Sequence, residues 1–146
     1  MSEWSYMIAN GSVLPVWMLM VFAPSVPFTE RLTRSLWVPA LYAMAYCGLL
    51  IGSVVAGGEG DMFSLEGLRQ SFDRDLVILL AWVHYLCFDM IVGMWVFRDA
   101  KQLELPWWGV APCLIFTLLV GPVGFLAYAT YRRVFSGVSS WDSGNR

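Results

Sequence analysis

The sequence predicts an all-α integral membrane protein: a bundle of four transmembrane helices with a short interfacial amphipathic helix between the second and third. Three observations predict it. Of the 146 residues 58% are hydrophobic and only 14% charged, against about 25% charged in an ordinary soluble domain. Apolar stretches run over about residues 7–23, 36–56, 76–97 and 108–131, each near the ~20 residues a helix needs to cross the hydrocarbon core. Together they take more than half the chain, which leaves a single transmembrane domain over 1–146, a polar tail at 136–146, and no room for a separate soluble catalytic domain.

The first stretch follows Glu3 without a basic n-region and runs into Ala23-Pro24 without a cleavage pattern, so it is expected to remain as a span. It contains Asn10, Trp17 and Pro15, which should kink it. A loop with Arg31 and Arg34 leads to the second span, whose start Thr33 or Ser35 can cap. That span carries Gly48, Gly52 and Ala56 at four-residue spacing, a small-residue stripe suited to close helix contact in lipid, within the bundle or between subunits. Tyr42 and Tyr46 sit one turn apart on the same span. In the connection 57–75, Phe63, Leu65, Leu68 and Phe72 predict an amphipathic segment on the membrane surface.

The third span has the densest polar cluster, Trp82, His84, Tyr85 and Asp89, and ends at Arg98-Asp99-Ala100-Lys101. Pro106-Trp107-Trp108 reads as an interfacial aromatic belt. The fourth span holds Pro112, Thr117 and Gly121-Pro122-Val123-Gly124, so its later half should bend, and it ends at Arg132-Arg133. Four crossings place both termini on one side. The basic residues then divide five to four between the two sides, too evenly to orient the chain.

Composition also excludes function classes. A net charge of −2 with scattered basic residues argues against nucleic acid. Cys47, Cys87 and Cys113 are odd in number and lie inside spans, so they read as small packing residues. There is no nucleotide or metal motif, hence no cofactor is expected, and the lone His84 has no second helix histidine with which to hold a haem or a chlorophyll magnesium.

An ionisable residue inside a span is a functional candidate because it costs a few kcal/mol to place there. At 100° per residue, Asp89 shares a face with Tyr85, Gly93 and Trp82, whereas His84, Phe88 and Trp95 lie about 100° to 140° away. Asp89 is therefore a proton donor, a proton acceptor or a counter-charge, with Tyr85 as its partner; alternatively it holds a helix kink in register. His84 is second, as catalyst or as a satisfied interhelical hydrogen bond. Glu66 could swing over the mouth of a cavity or simply help a helix start. Trp17, Tyr42, Tyr46, Trp82, Phe88, Trp95 and Tyr128 are deep enough to line a ligand groove, a role that competes with ordinary packing.

Several strings resemble a known membrane family: Ser64-Leu65-Glu66-Gly67-Leu68; Trp82-Val83-His84-Tyr85 followed by Phe88-Asp89, Gly93 and Trp95; and Arg98-Asp99-Ala100. The similarity extends to Trp17-Met18-Leu19-Met20-Val21-Phe22-Ala23-Pro24, Arg31-Leu32-Thr33-Arg34, Pro112-Cys113 and Gly121-Pro122-Val123-Gly124, covering roughly residues 10–131 in consistent order. The family is that named for the plant abscisic-acid-deficient-four protein. Plant members are needed to form neoxanthin from violaxanthin and are implicated in trans-to-cis isomerisation of xanthophylls. The resemblance implies a carotenoid- or retinoid-modifying protein, a trans/cis or epoxide-opening isomerase, with Glu66, His84, Tyr85, Asp89 and Asp99 as family-motif positions. The alternative is a non-enzymatic pigment-binding or assembly subunit of a larger membrane complex, using the Gly48/Gly52/Ala56 stripe for self-association or docking. The implied partners are a lipid-soluble polyene or carotenoid and membrane lipids. With no long transit region at its start, the chain is expected in a bacterial inner or photosynthetic membrane, or in a plastid membrane as a processed member.

Overall fold

The computed structural model describes residues 3–57 and 63–138. Within them the chain is all-helical: α1 (Glu3–Phe22), α2 (Pro27–Arg34), α3 (Trp37–Val55), α4 (Leu65–Phe72), α5 (Asp75–Gln102) and α6 (Trp107–Ser136). The all-α expectation holds, with four helices, α1, α3, α5 and α6, long and apolar enough to cross a membrane. Residues 58–62, which open the expected surface connection, and the tail from 139 lie outside the described residues.

The ends of the helices follow local chemistry. Helix α4 is the expected surface segment. Its cap is Ser64, whose hydroxyl accepts from the Gly67 N–H at 3.1 Å, and its apolar side chains Leu65, Leu68 and Phe72 stay exposed, as an interfacial helix requires. Helix α5 stops in a Schellman arrangement: the Leu105 N–H donates to the Ala100 carbonyl and the Glu104 N–H to Lys101, with Glu104 left-handed at φ 52°. Pro106 then bars continuation.

Two expectations about the first connection are corrected. Residues 27–34 form helix α2 instead of a loop, because Pro27 supplies a pre-set first-turn φ. Thr33 does not cap the next span; its hydroxyl donates back to the Thr29 carbonyl inside α2 at 2.9 Å. Nor is any break recorded at Pro15, through which α1 runs continuously.

The chain divides into two compact units. One holds the first part of α1 to Ser12, with α3, α4 and α5 as far as Phe88. It is tied by Trp82 Nε1 donating to Asn10 Oδ1 at 3.1 Å, a Ser12–Tyr42 hydroxyl pair at 2.8 Å, and the Cys87 thiol donating to the Pro39 carbonyl. On α3, nothing among the described residues lies within 4 Å of where a Cβ on Gly48 or Gly52 would sit.

The other unit holds α1 from Val13, α2, α5 from Asp89, and α6. Its buried apolar side chains include Trp17, Met20, Met90, Phe97 and Leu114. The Trp17 indole occupies the notch that Gly93 leaves on α5, where any Cβ would collide with the ring. Trp107 Nε1 donates to the Val21 carbonyl at 2.9 Å, and Lys101 pairs with Glu30 of α2 at 3.2 Å.

Within this unit α6 folds back on itself. Val120 is non-helical, at φ −147° and ψ 66°, two residues before Pro122, which lacks an N–H and disfavours helix in the residue before it. The rings of Trp108 and Phe135 are 5.8 Å apart, and the Tyr131 hydroxyl donates to the Pro106 carbonyl at 2.9 Å. A straight helix would separate Trp108 from Phe135 by about 40 Å. The halves before and after Val120 are therefore antiparallel. They meet through small residues: a Cβ on Gly124 would strike the Thr117 backbone, and one on Gly109 would strike the Tyr131 ring. The expected bend is thus a complete reversal.

Gly124→Leu should lower the thermal stability of the purified protein in mild detergent by about 3 kcal/mol, because backbone cannot yield as a side chain does. Gly48→Leu should change it by less than about 0.5 kcal/mol, the usual effect away from packed contacts.

Candidate functional site

In the first unit α5 presents aromatic groups on two faces. Trp82 and Tyr85, three residues apart, bring their rings to 5.5 Å, and Tyr6 of α1 closes on Trp82 at 5.4 Å. The second face carries His84 and Phe88, one turn apart with ring centroids at 4.7 Å, and Tyr46 of α3 approaches His84 at 5.5 Å. The i, i+3 and i, i+4 spacings explain why each pair meets.

The two faces differ in access. Trp82 and Tyr85 are half-buried, and the indole N–H is satisfied by Asn10, whose own amide donates to the Tyr6 carbonyl at 2.9 Å. His84 is exposed, as is Phe88 at 55%. An imidazole placed in an apolar span, open to its surroundings and bordered by two aromatic rings, can exchange a proton with an apolar ligand lying along those rings. The ring faces can stabilise spread positive charge. Tyr42, paired with Ser12, belongs to the same unit.

Asp89 has different surroundings. It is only 8% exposed, and its Oδ1 lies against Gly121 so closely that a Cβ there would collide with it. Gly121 begins the returning half of α6, where backbone N–H groups point outward and negative charge is favoured. A carboxylate at this point suits the start of a half-helix whose first turn contains Pro122.

Trp17 and Tyr128, expected near a ligand groove, are fully buried. Trp95 packs edge-on against Tyr128 at 5.6 Å and tilted against Phe125 at 5.9 Å. Glu66 is solvent-facing on α4, beside Arg69 at 3.9 Å and accepting from Gln70 at 3.4 Å. Those contacts are the chemistry of a surface helix start.

The polar centre that residue spacing did not pick out is Asp99 with Arg132 and Tyr128. Arg132 Nε and Nη2 donate to Asp99 Oδ2 and Oδ1 at 2.6 and 3.0 Å, and the Tyr128 hydroxyl donates to Oδ2 at 2.6 Å. The remaining guanidinium nitrogen Nη1 donates to the Val138 carbonyl at 3.1 Å. Asp99 and Arg132 are 4% and 5% exposed. The bidentate fork supplies geometric specificity as well as charge neutralisation. In sequence Asp99 and Arg132 stand 33 residues apart at what read as opposite membrane faces; only the reversal of α6 joins them.

A family profile described as ABA DEFICIENT 4-like matches residues 4–128, spanning both units and the turn of α6. Among curated proteins, the chain is similar to "Protein ABA DEFICIENT 4, chloroplastic" of Arabidopsis thaliana, 24% identical over 139 residues, which cover 90% of this chain and 61% of that protein. The chain thus spans about three-fifths of its relative's length. No solved structure matches it.

Asp99→Asn or Arg132→Met alone should cost about 3–5 kcal/mol, since each leaves a buried charge without its counter-charge. The double variant should recover most of that loss. Tyr128→Phe should cost about 1–2 kcal/mol. Thermal unfolding of the four variants in one detergent checks the ranking.

Proposed function

The chain belongs to the ABA DEFICIENT 4-like family, and from that premise we propose that it is a membrane protein that binds a long polyene of the carotenoid class and isomerises it. The observation that carries the proposal is His84, exposed within a span and bordered by Tyr46 and Phe88. A polyene is long, apolar and polarisable, so it fits a strip of ring faces entered from the bilayer.

In this reading the imidazolium of His84 donates a proton to a polyene carbon. A C–H bond forms, one π-bond is lost, and the positive charge spreads along the conjugated chain. Rotation about the weakened bond follows, and the neutral imidazole takes the proton back. No electron is gained or lost overall. With an epoxide the proton goes to oxygen, the C–O bond opens, and loss of a proton from a neighbouring carbon to the imidazole completes an isomerisation. The rings of Tyr46 and Phe88 stabilise the cation.

His84 is preferred to Asp89 as the proton-exchanging group because a group that reacts with a ligand has to be reachable. Asp89 is buried at the start of a half-helix, where its carboxyl lies against Gly121 and not against an open surface. Tyr85 shares its face with Trp82 and serves as part of the supporting aromatic wall.

The test uses the protein purified in mild detergent from carotenoid-producing cells, with pigment extracted and separated by isomer. Wild type should carry carotenoid and change its isomer or epoxide composition. His84→Gln should retain pigment while losing conversion by about 100-fold or more, the usual scale of a lost acid–base group. Asp89→Asn should still convert, because Asn also suits a helix start. A normally folded Asp89→Asn protein without conversion would assign the acid to Asp89. Stoichiometric pigment recovered unchanged by wild type would make the protein a pigment-binding subunit, and absence of pigment would overturn the proposal altogether.

A further inference from the structure

We infer that α6 is a re-entrant hairpin, and that its reversal places Arg133 on the same rim as Arg31, Arg34, Arg98 and Lys101, the surface that meets the anionic headgroups of the cytoplasmic leaflet. Three observations lead there. The first is contact geometry: Trp108 against Phe135, Tyr131 on Pro106, and Arg132 on Asp99 bring both ends of α6 to the end of α5.

The second is length. The halves on either side of Val120 have about 13 and 16 residues, or roughly 20 and 24 Å of helix, and each falls short of a hydrocarbon core of about 30 Å. Such a hairpin enters and leaves on one side. At the reversal Gly121 and Gly124 are buried with Asp89 alongside, while the side chains of Leu119 and Val120 stay exposed; buried protein is where a membrane protein tolerates a broken helix.

The third is charge, and it is independent of the first two. With α6 crossing, the basic residues divide five to four. With α6 returning and α1, α3 and α5 each crossing once, Arg132 and Arg133 join Arg31, Arg34, Arg98 and Lys101 among the described residues, against Arg69 and Arg74. Six against two among the described residues, all in short connections or at helix ends, is a strong positive-inside signal. Part of this rim is already assembled by the Lys101–Glu30 pair, which fixes α2 to the end of α5. Arg31, Arg34, Arg98 and Arg133 are the exposed members of this rim, Arg132 being held by Asp99, and anionic headgroups attract exposed basic residues by about 1 kcal/mol each near the surface. Glu3 and α4 are consequently outside, and Ser136 inside.

Accessibility of single cysteines tests this in spheroplasts of a bacterial host. In a background of Cys47→Ala, Cys87→Ala and Cys113→Ala, an impermeant maleimide should label Glu3→Cys and Gln70→Cys in intact spheroplasts. Glu104→Cys and Ser136→Cys should label at least tenfold more after permeabilisation. A periplasm-active and a cytoplasm-active reporter, each fused after Arg146 of the chain with its native cysteines, repeat the assay without substitutions, and the cytoplasm-active one should be active. Residues 3 and 136 on the same side would overturn the hairpin. Opposite sides with 136 outside would overturn the assignment of the basic rim to the cytoplasmic leaflet.

Discussion

A helix that reverses within a membrane cannot leave its broken backbone to the lipid, where each unsatisfied group costs several kcal/mol. The second unit is organised around that constraint. Gly124 lets the two halves of α6 close to backbone contact and Gly109 admits the Tyr131 ring, Asp89 stands at the start of the returning half, and Arg132 of that half is clamped by Asp99 with Tyr128. Each component is explained by the reversal. A bidentate buried ion pair at the far end of the hairpin also sets its register, because the planar fork of Arg132 accepts one alignment of the carboxylate.

The two units offer opposite chemistry. Around Asp99 the three Arg132 nitrogens and the Tyr128 hydroxyl each have an acceptor and the side chains are buried, a combination that rigidifies. Around His84 the groups are aromatic, few hydrogen bonds are fixed, and the imidazole is open. Binding a long apolar molecule calls for the second kind of surface, while holding a broken helix calls for the first. Asp89, the foremost candidate in the sequence, is buried beside Gly121 in the second unit, although its position midway along an apolar helix is what a catalytic acid would also show.

Much of this was legible in the residues. The apolar runs placed α1, α3 and α5 within a few residues, except that α5 continues to Gln102, and the amphipathic pattern of Phe63, Leu65, Leu68 and Phe72 placed α4. Helix α2 was hidden because eight mixed residues after a proline resemble a loop. In α6 the Gly121-Pro122-Val123-Gly124 string marked a break, but a break does not state its angle. The spacing of Gly109, Cys113 and Thr117 in steps of four was a further sign, since it lines one face of the first half with small residues for close antiparallel contact. The near-even charge balance of a four-crossing topology was itself a discrepancy that a returning helix removes. For the site, the pairs Trp82–Tyr85 and His84–Phe88 follow from helical spacing, whereas their partners on other helices, Tyr6 and Tyr46, depend on tertiary packing that no local pattern encodes.

The claim that α6 returns is tested most directly by a distance. Spin labels on Trp108→Cys and Phe135→Cys, in a background freed of the native cysteines and reconstituted in lipid, report the separation of the two ends of this helix by pulsed electron resonance. The hairpin predicts a distribution centred below about 20 Å once label length is allowed for, since the native rings sit 5.8 Å apart. A distribution centred near 40 Å, the span of a continuous helix between those positions, would contradict it.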